Sequence, residues 1–142
     1  MIKIVRCDRL DYAVLAGIWE RSVRASHDFL PEEVIVEIRN RLIPEYFPAV
    51  EIYAVDVNGV LTGFVGQSGD KIEMLFVDGN QRGHGYGTAL LDFAVKRGAV
   101  SVDVNEQNPL ALEFYLSKGF QVVGRDNTDD SGREYPILHL SL

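Results

Sequence analysis

The apolar positions along the chain change period several times, and each change marks an element. The stretch "IKIVRC" (2–7) alternates and is β-branched, so it reads as a first strand. Val14, Leu15, Ile18 and Trp19 then fall on one face of a helix, with Asp8 or Asp11 available to cap it. "ASHDFLPEE" breaks that pattern. Pro31, followed by Glu32 and Glu33, suits the first turn of a second helix, in which Val34, Ile35, Ile38 and Leu42 recur until Pro44 and Pro48. Strand patterns follow. "EIYAVDV" and "VLTGFVGQ" flank Asn58-Gly59, a two-residue hairpin signal. "SGD" then turns the chain into "KIEMLFV". The next helix presents Ala89, Leu90, Phe93 and Ala94 and ends at Gly98. "AVSVDV" after it implies a crossover and a parallel pairing. Asn108-Pro109 is an N-cap with proline at the first helical position, and that helix stops at Gly119, with Phe120 set to fold back over its last turn. "FQVVGRD" and "EYPILHLSL" are two last strands joined by "NTDDSG". The order β-α-α-β-β-β-α-β-α-β-β predicts an α/β (α+β) fold: one mixed sheet with helices on its faces, in a single domain over 1–142.

Composition narrows the class. With 46% hydrophobic and 25% charged residues the chain matches soluble globular proteins. Cys7 is its single cysteine, so an intramolecular disulfide and a cysteine-based metal site are both excluded; this fits a reducing cytoplasm. No apolar run approaches bilayer length and the first residues lack signal-peptide organisation, so no membrane partner is expected. A net charge of −7 argues against nucleic acid, whose binding rests on phosphate neutralisation, and suits a cationic partner. His27, His84 and His139 lie on separate elements, which predicts no metal site. Oligomeric state is left open between monomer and homodimer.

The most informative stretch is "LFVDGNQRGHGYGTALLDFAV" (75–95), where a strand meets a glycine-rich turn and then a helix. A Walker A loop requires Gly-Lys-Ser/Thr, but Gly87 is followed by Thr88 and Ala89. A dinucleotide fingerprint requires G-x-G-x-x-G in a βαβ unit, and Gly83-His84-Gly85-Tyr86-Gly87-Thr88 has the wrong spacing. Arg/Gln-x-x-Gly-x-Gly/Ala fits Arg82, Gly85 and Gly87 without a gap. Glycines let backbone approach a ligand closely, and the free N–H groups of a helix start point at an anion. The competing reading is a turn that merely tightens the strand–helix joint.

Here the chain resembles the GNAT superfamily of acetyl-CoA-dependent N-acetyltransferases. "MLFVDGNQRGHGYGTALLDFAV" is similar to the family's cofactor-binding motif, and "VNEQNPLALEFYLSKGF" to the next one, with Asn108, Ala111, Phe114, Tyr115, Gly119 and Phe120 in its places. The resemblance spans the chain and is strongest from Lys71 to Phe120. "ASHDFLPEE" and "VNEQN" resemble a small bacterial subgroup of largely unassigned substrate.

The resemblance implies an acetyl-CoA-dependent enzyme acting on an amine acceptor, with a GNAT-like fold. Arg82, Gly83, His84, Gly85, Tyr86, Gly87 and Thr88 would receive the pyrophosphate. Backbone of Leu75 and Val77 would pair with pantetheine like an added strand, and an N–H near Leu75 or Phe76 would hold the thioester oxygen. Asn105 would bond pantetheine amides or simply cap a strand end, and Asn108 and Ala111 would line the cofactor path. Tyr115 would protonate the departing thiolate; otherwise it is a core tyrosine. Glu73 would take a proton from the amine; otherwise it is a solvated strand charge. His27 would be a base or an acceptor contact, Asp28 would attract a cation, and Phe29 would wall the acceptor site. Gly79 stands where many members have proline, which would loosen the turn. A non-catalytic acyl-CoA-binding or regulatory module on the same fold is the alternative.

Overall fold

The computed structural model describes residues 2–142. Its strands are β1 (Ile2–Arg6), β2 (Glu51–Val57), β3 (Val60–Ser68), β4 (Lys71–Val77), β5 (Ser101–Asn105), β6 (Gln121–Asp126) and β7 (Ile137–Ser141). They form one sheet in the order β1-β2-β3-β4-β5-β7-β6. All neighbours are antiparallel except β4 and β5, which are parallel, as the crossover through a helix requires. The helices are α1 (Tyr12–Ser26), α2 (Glu32–Arg41), α3 (Tyr86–Lys96) and α4 (Pro109–Ser117).

The sheet has a core on each face. On one side Leu15, Ile18, Trp19 and Val23 of α1 pack with Ile35, Leu42 and Phe47 against Ile52, Ala54 and Phe64. On the other, Leu90, Leu91 and Ala94 of α3 and Tyr115 of α4 pack against Val55, Val65, Ile72, Val102 and Val104. Full burial of each such side chain is worth about 1.5–3 kcal/mol, which is why pattern alone places these elements.

Three local expectations are corrected. Val14 is 50% exposed, because the buried stripe of α1 runs through Leu15, Ile18, Trp19, Ser22 and Val23, and Val14 lies one residue round from it. Pro31 is the N-cap of α2 in extended conformation, so the helix starts at Glu32. Pro44 does not stop the chain's helical course. Without an N–H, it is carried in a widened π-turn over Leu42–Tyr46, closed by Phe47 N–H to the Leu42 carbonyl, and a 3-10 turn over Phe47–Ala49 follows. Those turns bury Leu42 and Phe47.

Other turns are as expected. Asn58 and Gly59 both take positive φ (53° and 90°) in the β2–β3 hairpin. Asp8 accepts from Leu10 N–H while Asp11 accepts from Asp8 N–H, so both acids serve the short turn ahead of α1. At the end of α4, Phe120 N–H returns to the Tyr115 carbonyl at 3.1 Å and the Phe120 ring lies 5.5 Å from that of Tyr115.

Candidate active site

β4 and β5 pair only at Lys71↔Ser101 and Ile72↔Val102. Beyond that they splay, while β4 stays paired with β3 as far as Gly63↔Val77. The edge of β4 that faces β5 is therefore free from Glu73 to Val77, next to a cleft of about 370 Å³. Into that wedge come Leu75, Phe76 and Val77 from β4, Asn105 from the end of β5, Asn108, Ala111 and Tyr115 from α4, and Arg82 and Gly87 from the glycine loop. A chain laid there would find unpaired backbone groups on one wall and apolar rings on the other.

The glycine loop is built for close approach. Gly83 and Gly85 have φ of 83° and 80°, and Gly85 is the N-cap of α3. A Cβ on either would meet nothing within 4 Å, so their conformation, not packing, demands glycine. The start of α3 at Tyr86, Gly87 and Thr88 thus presents free N–H groups to an anion. Tyr86 is buried, and its ring stacks on the exposed His84 at 5.4 Å.

What holds this loop was not legible in the sequence. Asp78, 6% exposed, receives Arg21 Nε at 3.0 Å and Nη2 at 2.8 Å. A Cβ at Gly79 would lie 2.7 Å from the Arg21 carbonyl oxygen. Gly79 is therefore required by the approach of α1, and the turn is braced rather than loosened.

Tyr115 is 6% exposed and lines the cleft. Burial drives its phenol well above the usual tyrosine range, so the hydroxyl keeps its proton at any physiological pH. Both core packing and a cleft-lining role hold for this residue. Glu73 is the extra residue of a β-bulge: Gly66 faces Met74 and Gln67 faces Ile72, leaving Glu73 between them. The bulge lets Glu73 and Met74 both line the cleft, where strict alternation would admit one. Glu73 lies 3.4 Å from Lys71 Nζ. Lys71 also meets Asp103, at 2.9 Å, and Asp103 meets His139 Nδ1 at 2.7 Å. His139 Nε2 continues to Asp126 at 2.6 Å. Burial pushes the Asp103 carboxyl up, but hydrogen bonds from Lys71 and His139 outweigh it and leave it below the ordinary range. Nothing in the sequence pattern signals this four-strand ladder.

Asn105 caps its strand end, accepting from Gln107 N–H at 2.9 Å, and lines the cleft. Asn108 caps α4, accepting from Ala111 N–H at 3.3 Å. His27 reaches the cleft from the end of α1, and its Nε2 lies 3.3 Å from Asn108 Nδ2. Asp28 and Phe29 are not brought to the cleft lining. Phe29 instead buttresses His27, with ring centres 5.4 Å apart, and reaches Tyr135 at 5.9 Å. Cys7 is buried and is not part of the cleft lining, and burial, with help from Asp11 and Asp8, pushes its thiol up to about 12. Among the described residues, no group of three or more His, Cys, Asp or Glu side chains is arranged to hold a metal, and no helix is long and apolar enough to cross a membrane.

A wedge between splayed parallel strands, with a glycine-rich helix start beside it, leaves room for the added strand that the sequence resemblance implies. A family profile described as an acetyltransferase (GNAT) domain matches residues 27–135. The chain belongs to the GNAT acetyltransferase family. The peptidyl-lysine N-acetyltransferase YjaB of Salmonella typhimurium is 37% identical over 142 residues, spanning 99% of this chain and 97% of that protein. Its Escherichia coli K12 counterpart of the same name is 37% identical over 143 residues, with the same coverage. The solution structure of apo-form YjaB from Escherichia coli matches with a TM-score of 0.91 at 35% identity, covering 99% of this chain and 97% of that one. The activity of this GNAT enzyme is N-acetyl transfer to an amine acceptor, with acetyl-CoA as co-substrate.

Proposed function

We propose that residues 1–142 form one N-acetyltransferase domain that acetylates the ε-amine of peptidyl lysine. The acceptor class rests on the names of the YjaB relatives. Two features support it: a net charge of −7 suits a cationic acceptor, and Glu73 and Asp103 stand at the cleft. The observation that carries the reading is the wedge itself, where free β4 backbone and Tyr115 share one cavity.

Arg82 and the backbone from Gly83 to Thr88 hold the pyrophosphate. Leu75 and Val77 pair with the pantetheine amides, and Asn105, Asn108 and Ala111 line its path. A backbone N–H at Leu75 or Phe76 meets the thioester oxygen as it gains charge. A lysine ammonium titrates near 10.4, so at pH 7 only about one in 2,500 is free amine. Glu73, at the narrow end of the wedge next to the last β4–β5 pair, takes that first proton. The neutral amine attacks through a tetrahedral intermediate, and Tyr115 supplies a proton to the departing thiolate. His27, with Asp28 and Phe29 behind it, forms the acceptor-side wall.

Calorimetric titration with acetyl-CoA tests the cofactor half. Gly85→Glu sets a carboxylate and a strained φ against the pyrophosphate and should abolish the binding heat in a folded protein. Undiminished affinity in that variant would remove the glycine loop from the cofactor site.

A further inference from the structure

His27 sits between two hydrogen-bond chains that independently fix where its proton lies. On one side, Asn108 spends its Oδ1 on the Ala111 N–H as the cap of α4. The amide end facing His27 Nε2, at 3.3 Å, is therefore the NH2, which can only donate. Nε2 must carry a lone pair. On the other side, Ser26 Oγ donates its one hydrogen to the Ser22 carbonyl at 2.9 Å. It can then only accept from His27 Nδ1, 2.8 Å away, so Nδ1 carries the hydrogen. Both chains give the same neutral tautomer, with the basic nitrogen on the cleft side.

The surroundings keep the ring neutral. Burial disfavours the imidazolium, the Arg82 guanidinium across the cleft adds to that, and Asp28 on the same loop opposes it; the net is a pKa below the ordinary histidine range. Neighbours from α4 and the end of α1 are the uncharged Asn108 and Ser26, and Phe29 closes the far side. In a cleft shared with Tyr115, the Nε2 lone pair of this neutral imidazole is held only by the long Asn108 N–H contact of 3.3 Å, which a stronger donor entering the cleft can displace.

The reaction proposed above contains such a donor. Two protons leave the lysine nitrogen between ammonium and amide. Glu73 accounts for the first. After attack, the nitrogen bears a positive charge and a second surplus proton, and unless it is lost the intermediate returns the amine. We propose that His27 Nε2 takes this second proton as the C–N bond forms and the C–S bond breaks, with Asn108 as the positioning residue that holds the accepting tautomer. The C–S electron pair goes to sulfur and the Tyr115 hydroxyl hydrogen follows it. The His27 proton then replaces the one Tyr115 gave up, through water, and the Glu73 proton leaves to solvent. One proton is released per turnover, as conversion of an ammonium and a thioester to an amide and a thiol requires.

This inference rests on the acetyl-transfer reading, so its test separates the two. Long-range ¹H–¹⁵N spectra of the wild-type protein should show His27 as the Nδ1–H tautomer at neutral pH; an imidazolium or an Nε2–H ring there overturns the proposal, whatever the enzyme does. With acetyl-CoA and a lysine peptide, His27→Gln should lower kcat by about 100-fold with acetyl-CoA affinity unchanged. Asn108→Asp keeps a good cap but replaces the donor with a carboxylate. It should convert His27 to the imidazolium and move the acid limb of kcat to higher pH, a change that a packing role would not produce. Wild-type kcat in His27→Gln, or an unmoved limb in Asn108→Asp, overturns the role of His27. A wild-type protein that neither binds acetyl-CoA nor acetylates the peptide overturns the underlying reading instead.

Discussion

Three glycines around the cofactor loop should respond to alanine in different ways, because the structure assigns each a different reason to be glycine. At Gly79 an added Cβ would stand 2.7 Å from the Arg21 carbonyl oxygen and 3.1 Å from Ala25 Cβ. The nearer neighbour is helix backbone, and α1 cannot move away cheaply because Leu15, Ile18 and Val23 are buried beneath it. Overpacking of this kind costs about 1–3 kcal/mol. For a chain of this size that is a fall in Tm of roughly 3–10 °C. The loop that yields instead is the one proposed to donate to the pyrophosphate, so losing one charge-assisted bond should weaken acetyl-CoA binding by about tenfold or more. At Gly87 the nearest atoms would be Phe114 Cζ at 3.7 Å and Val77 Cγ2 at 3.8 Å, which is ordinary contact. Gly87→Ala should keep or raise Tm, since alanine at a compatible helical position gains about 0.4–1 kcal/mol. Gly83→Ala meets no atom but must hold φ near +83°, at a cost of about 1–2 kcal/mol. Differential scanning calorimetry, with and without acetyl-CoA, reads all three. If Gly79→Ala melted and bound like wild type, α1 would not brace the loop and the reasoning would fail.

Tyr115→Phe keeps the ring and its packing, so kcat should fall by about 10²–10⁴-fold with acetyl-CoA affinity nearly unchanged; a drop in Tm at wild-type kcat would make Tyr115 a core residue only. Glu73→Gln should depress turnover most at neutral pH and recover as rising pH supplies free amine, and a parallel pH profile would exclude the carboxylate. Arg21→Ala leaves Asp78 buried without its partner; half of the arginine is exposed, so the loss is discounted to roughly 1–2 kcal/mol, read by denaturant titration. Hydrogen bonds to Asp103 and Asp126 raise the His139 pKa above its unfolded value, so their stabilisation is full below about pH 6.5 and disappears as pH rises through the folded value. Tm should therefore decline from mildly acidic to alkaline pH, and more steeply than in His139→Gln; equal slopes would show that the ladder is not titrating.

The periodic elements were readable in the sequence because burial there is local. Leu90 and Ala94, or Val102 and Val104, need only one face each, and the spacing along the chain states which, although it did not single out the equally buried Leu91. Asn58-Gly59 and Asn108-Pro109 were equally legible, since their turn chemistry is written in adjacent residues. Pro44 misled because its missing N–H also permits a wider turn, and the choice was made by burial of Leu42 and Phe47 against the sheet. At the site, the glycine loop and Tyr115 were visible as motifs. The bracing of Gly79 by α1 was not, because the contact joins positions more than fifty residues apart and glycine carries no side chain to signal it. The bulge at Glu73 escaped for a related reason: register is a property of β3 and β4 together, and only their pairing shows that Glu73 and Met74 both enter the cleft. The Lys71–Asp103–His139–Asp126 ladder spans four strands whose order the sequence does not state.

The central claim is that one cleft holds acetyl-CoA and delivers its acetyl group to a lysine amine. Incubating the purified protein with isotopically labelled acetyl-CoA and a lysine-containing peptide, and locating the label by tandem mass spectrometry, tests it directly. The account predicts label on the lysine ε-nitrogen, formed with stoichiometric release of free thiol, and almost none with Tyr115→Phe. Tight acetyl-CoA binding with no labelled amine from any acceptor would contradict it.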